Sequence, residues 1–165
     1  MMGRLFPRSL DNSYEGSWVA VWLFAPVLIV KTLMGFNFSG LNPIIDVSEI
    51  LRTVDGVPLD TFSQEAAASV VDSAAAWGMA LFTLCLFAWL VLFRYRAALP
   101  FAILLLLIEQ VGRTGPDTVR VVTALIAGSS TMSMGAIINL TMSTLLIVVA
   151  VLSLLRVRRA GSDSA

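Results

Sequence analysis

An all-α, polytopic membrane protein is predicted: four transmembrane helices in an up-down bundle, with a short amphipathic extracytoplasmic helix. Three observations predict it. Hydrophobic residues make up 58% of the 165 and charged residues only 13%, against about 45–50% and about 25% in soluble domains. Four apolar runs, separated by polar segments, divide the chain. Arginines gather at alternate ends of those runs, which sets an orientation. One transmembrane domain over residues 1–160 is expected. Within it, residues 37–60 form the extracytoplasmic segment, and 161–165 follow as a disordered cytoplasmic tail.

The first run extends from Trp18 to Val30, is interrupted by Lys31 and continues through Phe36. A span needs about 20 residues, so Lys31 falls inside it. Pro26 predicts a bend. The mixed-charge residues 1–17 precede the run and no small-residue cleavage site follows, so it does not read as a cleavable signal.

The outer segment comes next. Asn42-Pro43 reads as a helix cap followed by proline at the first helical position. Ile44, Val47, Ile50, Leu51 and Val54 then recur at helical spacing between polar residues. This predicts an amphipathic helix over 43–54 with those residues against the bundle or the headgroups. Asp55-Gly56 ends it in a turn.

The second run covers Ala66 to Phe93. Thr61 with Gln64 resembles a capping box, and Asp60 is an alternative cap. Its first half is rich in alanine, and Ala74 with Gly78 forms a small-xxx-small pair suited to close helix contact. Arg94-Tyr95-Arg96 closes it, and a tight hairpin leads to the third run.

That third run, Ala97 to Ile108, provides only about 18 Å of helix, too little to cross about 30 Å of hydrocarbon. The span must continue through Glu109-Gln110-Val111-Gly112-Arg113. The fourth run starts near Val121 or Ala127, passes a Ser/Thr-rich stretch at 128–133 and ends at Leu155 before Arg156.

Arg4, Arg8, Arg94, Arg96, Arg156, Arg158 and Arg159 fall on one side of this arrangement. Both termini are therefore expected in the cytoplasm. Tyr14, Trp18, Trp22, Trp89 and Tyr95 are expected as an aromatic belt on that same side.

Counting along the helices places Lys31, Glu109, Gln110, Arg113 and Asn139 in one outer-leaflet slab, about 18–24 Å from the cytoplasmic ends. Asp72 lies above it, at about 31 Å. Ionisable groups at such depth face the bundle and pair. Glu109 and Arg113 share a helix face, and Glu109 is expected within salt-bridge reach of Lys31 or Arg113. Two readings stay open: ion pairing that fixes helix register, or a polar pocket open to the outside that holds a small polar ligand, a lipid headgroup or a proton.

Several chemistries find no support. Acidic and basic residues balance at eleven each and histidine is absent, which gives no nucleic-acid footprint and removes imidazole ligands and bases. Cys85 is the only cysteine and reads as a small buried apolar residue. No catalytic residue, metal site or cofactor is expected, and an enzyme is not expected. Asn139-Leu140-Thr141 matches a glycosylation sequon but lies within an apolar span. The expected partners are the lipid bilayer and other membrane subunits or a second copy of the chain.

Residues 55–62, the Arg94-Tyr95-Arg96 turn and the run ending Leu107-Ile108-Glu109-Gln110-Val111-Gly112-Arg113 together resemble a group of uncharacterised four-helix bacterial inner-membrane proteins. The resemblance covers about the middle third of the chain. It implies a bacterial inner membrane and transfers no activity. The expectation is a non-enzymatic accessory or structural subunit, with a small transport or ligand-binding protein as the alternative.

Overall fold

The computed structural model describes residues 11, 12, 14, 16–126 and 134–155; for residues 116–118, 120–122, 124 and 125 it describes the backbone alone. The Ser/Thr stretch at 128–133, the basic residues Arg4, Arg8, Arg156, Arg158 and Arg159, and the tail lie outside the described residues. Among the described residues the chain is all-helical. Helix α1 is Trp18–Phe38, α2 is Val47–Thr53, α3 is Gln64–Arg94, α4 is Leu99–Ile126 and α5 is Met134–Leu154. Short 3-10 turns at Leu59–Thr61 and Arg96–Ala98 precede α3 and α4.

Four of these helices contain stretches long and apolar enough to cross a membrane: α1, α3, the Arg96–Gly115 stretch leading into α4, and α5. Their surfaces confirm the composition. Only 17% of the most apolar stretch of α5 is buried, and 33% of those in α1 and α3. Trp22, Leu33, Leu90, Phe93 and Ile108 are among the large apolar side chains pointing outward. Water would not tolerate such an apolar exterior; hydrocarbon does.

Each helix places one stripe inward. Ala20, Phe24, Val27 and Leu28 of α1 meet Leu81, Cys85, Ala88 and Val91 of α3, and Leu99, Ile103 and Leu106 of α4 join them with Leu146 and Val149 of α5. These positions recur at three- and four-residue spacing, the period of an α-helix face. Helix α1 packs against α3 and α5, and α4 packs against both of those, so the four close a ring.

Two glycines permit the tight α1–α3 contact. A Cβ on Gly35 would lie 2.7 Å from the Phe82 backbone nitrogen, and one on Gly78 would collide with the Phe38–Ser39 backbone. The small-residue pairing expected at Ala74 and Gly78 thus has a physical seat.

The start of α3 differs from expectation. Ser63, not Thr61 or Asp60, caps it, accepting from the Ala66 amide at 3.3 Å. Thr61 is instead held in the 3-10 turn, donating to the Pro58 carbonyl. Helix α4 is also longer than expected. It runs on past Arg113 to Ile126, so residues 121–126 belong to it and not to the fourth span. Pro116 removes one ladder bond, and that loss does not end the helix.

The outer segment is corrected at its start. Its helix begins at Val47 with Asp46 as the cap. Asn42 does not start it; its side chain closes a local turn with the Ile44 amide at 2.9 Å and reaches Asn37. Asn42 and Asp46 are both good cap residues; the packing of Val47 into the core under α2 sets the start after Asp46. Ile44 is 88% exposed and does not pack against the bundle. Val47, Ile50 and Leu51 are buried against Phe38, Leu59 and the alanine-rich half of α3, while Glu49 and Arg52 are exposed. Gly56 follows with φ +69°, a left-handed turn that glycine enters without strain.

Ser48 donates to the Asp46 carboxylate through its hydroxyl and its amide, which holds that carboxyl below the ordinary aspartate range. The folded-state value being lowered, the cap contributes at neutral pH and fades as pH falls through it.

The close α1–α3 seam generates a test. Gly78→Val should destabilise the bundle by about 1–3 kcal/mol or more through overpacking, read as a lower Tm in detergent. Gly112→Ala, with nothing within 4 Å of the added carbon, should be neutral or slightly stabilising.

Candidate functional site

Lys31 continues the inward stripe of Phe24, Val27 and Leu28, and helical periodicity carries it into the bundle. It is completely buried. Gln110 continues the stripe of Ile103 and Leu106 on α4 and is 1% exposed. Polar groups held this way must find partners inside the protein.

The partner of Lys31 is Glu109. Lys31 Nζ lies 2.5 Å from Glu109 Oε2. The other carboxylate oxygen, Oε1, accepts from Arg113 Nε at 3.2 Å and from Trp77 Nε1 at 3.0 Å. Arg113 Nη2 then donates to Gln110 Oε1 at 3.3 Å and to Asn139 Oδ1 at 3.2 Å. Gln110 Nε2 reaches the Asn139 carbonyl at 3.3 Å. One carboxylate on α4 is therefore tied to α1, α3 and its own helix, and Asn139 extends the network to α5.

Five of the six residues singled out from the sequence are brought together. Asp72 is not. It is exposed on α3, and among the described residues no hydrogen bond or ion pair holds it. At about 100° per residue, Asp72 sits about 140° around the helix from Trp77, so it faces away from the cluster.

Trp77 is the member that sequence reasoning missed. Its indole N–H bonds Glu109, and its ring lies under the Arg113 guanidinium at 4.4 Å from the centroid. A cation over an indole face is attracted by the ring quadrupole. The available signal was one large donor-bearing side chain amid the alanines of α3, at the depth of the charged slab.

The aromatic belt also needs one correction. Tyr14 and Trp18 pack edge to face, and the Arg96 guanidinium lies 5.4 Å from the Trp18 ring centroid. Trp89 does not join them. Its indole N–H is spent inside, donating to Thr32 Oγ1 at 3.0 Å. The Cα–Cβ bond of a helical residue tilts toward the helix N-terminus, which leads Trp89 away from the Arg94 end of α3.

A cavity of about 560 Å³ adjoins the cluster. Arg113, Trp77 and Asn139 line it, together with Val30 and Met34 of α1 and Ile138 of α5; Glu49, Thr53 and Asp55 of the outer segment line it as well. Lys31 and Glu109 are not among its lining residues. Cys85 is fully buried and packs in the apolar core. Among the described residues, no three His, Cys, Asp or Glu side chains gather as a metal cluster.

Comparison with protein-family models, curated proteins and solved structures finds no match to this chain.

The cluster ranks its own members. Glu109→Gln leaves two cations facing each other and should cost about 3–5 kcal/mol. Lys31→Met leaves Glu109 its bonds to Arg113 and Trp77 and should cost less. The double variant should lose less than the sum of the two, measured by unfolding in detergent. Additive losses would show that the two side chains are not coupled.

Proposed function

We propose that the protein is a non-enzymatic accessory or structural subunit of a bacterial inner membrane, seated on a partner helix through the outward face of α3. In this reading the four spans run up and down. Both termini and the α3–α4 turn lie in the cytoplasm, and the amphipathic α2 segment lies outside.

The observation that carries it is a stripe of small exposed residues on α3. Ser69, Ser73, Ala76, Ala80 and Thr83 are all exposed, alternately four and three residues apart. Small residues let membrane helices approach closely. The Ser73 and Thr83 hydroxyls are already bonded to carbonyls of their own helix, so the stripe is smooth and needs no polar partner. Asp72 stands exposed beside it, and a carboxylate near the membrane boundary gains from a partner's donor.

A second reading, ligand binding, is favoured by one observation: the cavity reaches Arg113, the one charged member of the cluster that lines it.

Native mass spectrometry after gentle membrane solubilisation should find the protein bound to a second copy or to another membrane subunit. Replacing Ala76 and Ala80 together by leucine should release that partner without lowering the Tm. A monomer from the unmodified protein would overturn the reading. A reporter active only in the cytoplasm should work after Arg96 and fail after Gly56; activity at Gly56 would reject the topology.

A further inference from the structure

The guanidinium of Arg113 has five N–H donors. Nε serves Glu109, and Nη2 serves Gln110 and Asn139. Among the described residues Nη1 makes no hydrogen bond, and Arg113 lines the cavity. The cluster sets two cations, Lys31 and Arg113, against one carboxylate, Glu109. One positive charge is left over, on the side chain that faces the cavity. A guanidinium with free donors on one edge is suited to a phosphate oxygen.

The cavity also presents the opposite sign. Glu49 and Asp55, from the segment between α1 and α3, line it with the Thr53 side of α2. A purely anionic ligand would be repelled there. A ligand that carries both a phosphate and a hydrogen-bond-donating cation complements both signs. The walls between are apolar: Val30 and Met34 on α1 and Ile138 on α5. Val30 is 36% exposed, so the crevice between these two helices is in reach of an acyl chain. Its volume falls within the roughly 300–1,000 Å³ of ligand pockets, enough for a headgroup and the first part of a chain.

We propose that this cavity holds the headgroup of an aminophospholipid, with the phosphate on Arg113, the primary ammonium toward Glu49 and Asp55, and an acyl chain along the α1–α5 crevice. The proposal rests on the ligand-binding reading and names its ligand class. Phosphatidylcholine is the natural control, because its quaternary ammonium has no N–H to donate to a carboxylate.

The test uses the full-length protein, stripped of lipid in detergent and returned to phosphatidylethanolamine, phosphatidylcholine, phosphorylethanolamine or inorganic phosphate. Retained lipid is read by native mass spectrometry and protection by thermal unfolding. Phosphatidylethanolamine should be retained at least about tenfold over phosphatidylcholine, the scale of one charge-assisted hydrogen bond. Arg113→Gln should abolish that preference. Ile138→Trp, which fills the cavity without touching the charged network, should abolish it too while keeping the lipid-free Tm. Equal retention of the two lipids would overturn the aminophospholipid assignment. Protection by phosphorylethanolamine or inorganic phosphate but by neither lipid would also overturn it, while leaving ligand binding in place. No protection by any of the four, with Ile138→Trp silent, would overturn both.

Discussion

The structure turns on one carboxylate. Glu109 sits between two cations, with Lys31 on one oxygen and Arg113 with Trp77 on the other. Removing ions from water is costly, and mutual attraction offsets that cost only when the remaining donors and acceptors are also satisfied. Here Gln110 and Asn139 accept from Arg113 Nη2, and Arg113 also reaches the cavity. The apolar stripes below fix which faces meet, but apolar contact alone discriminates poorly between registers in lipid. The ion cluster adds directional ties among α1, α3, α4 and α5 at one level.

The outer segment depends on the same frame. Phe38, at the end of α1, packs edge to face on Trp77 with centroids 5.1 Å apart. Phe38 is also part of the small second core under α2. Trp77 thus joins two regions, one polar and one apolar, through its two ends. Its indole nitrogen serves Glu109 and its ring carries both Arg113 and Phe38. The amphipathic nature of tryptophan is what permits this double use. Trp77 lines the cavity and, through Phe38, touches the small core under α2, whose Glu49 and Thr53 line the same cavity.

The membrane-spanning helices and the five-residue cluster were legible in the sequence because both rest on one-dimensional arguments. A run of apolar residues has a length, and a charge within it has a depth. Lys31 interrupts α1 and Glu109 ends the apolar part of α4 too early, and those two irregularities point at each other. What escaped needed the angle around a helix as well as the height along it. Asp72 lies above the slab and on the wrong face, while Trp77 has the height and the face but no charge to attract notice. The caps failed for a different reason. Thr61, Asp60 and Ser63 are all good cap residues within three positions, as are Asn42 and Asp46 within four. Local chemistry does not choose among them; the packing of Leu59 and Val47 into the second core does.

The separation of Lys31 from Glu109 along the chain also constrains how the molecule is made. The two are 78 residues apart, and the chain grows from its N-terminus. At about 5–20 residues per second, Lys31 is synthesised roughly 4–16 seconds before its counter-ion. A lone lysine costs at most about 2.5–3.5 kcal/mol on insertion scales, the value at a helix centre, and Lys31 lies past the centre of α1. During that interval Lys31 lacks its carboxylate partner, and the apolar flanks of α1 offset its cost. The arrival of α4 supplies the missing charge, so the buried ion pair of α1 closes only after α3 and most of the apolar part of α4 have been made.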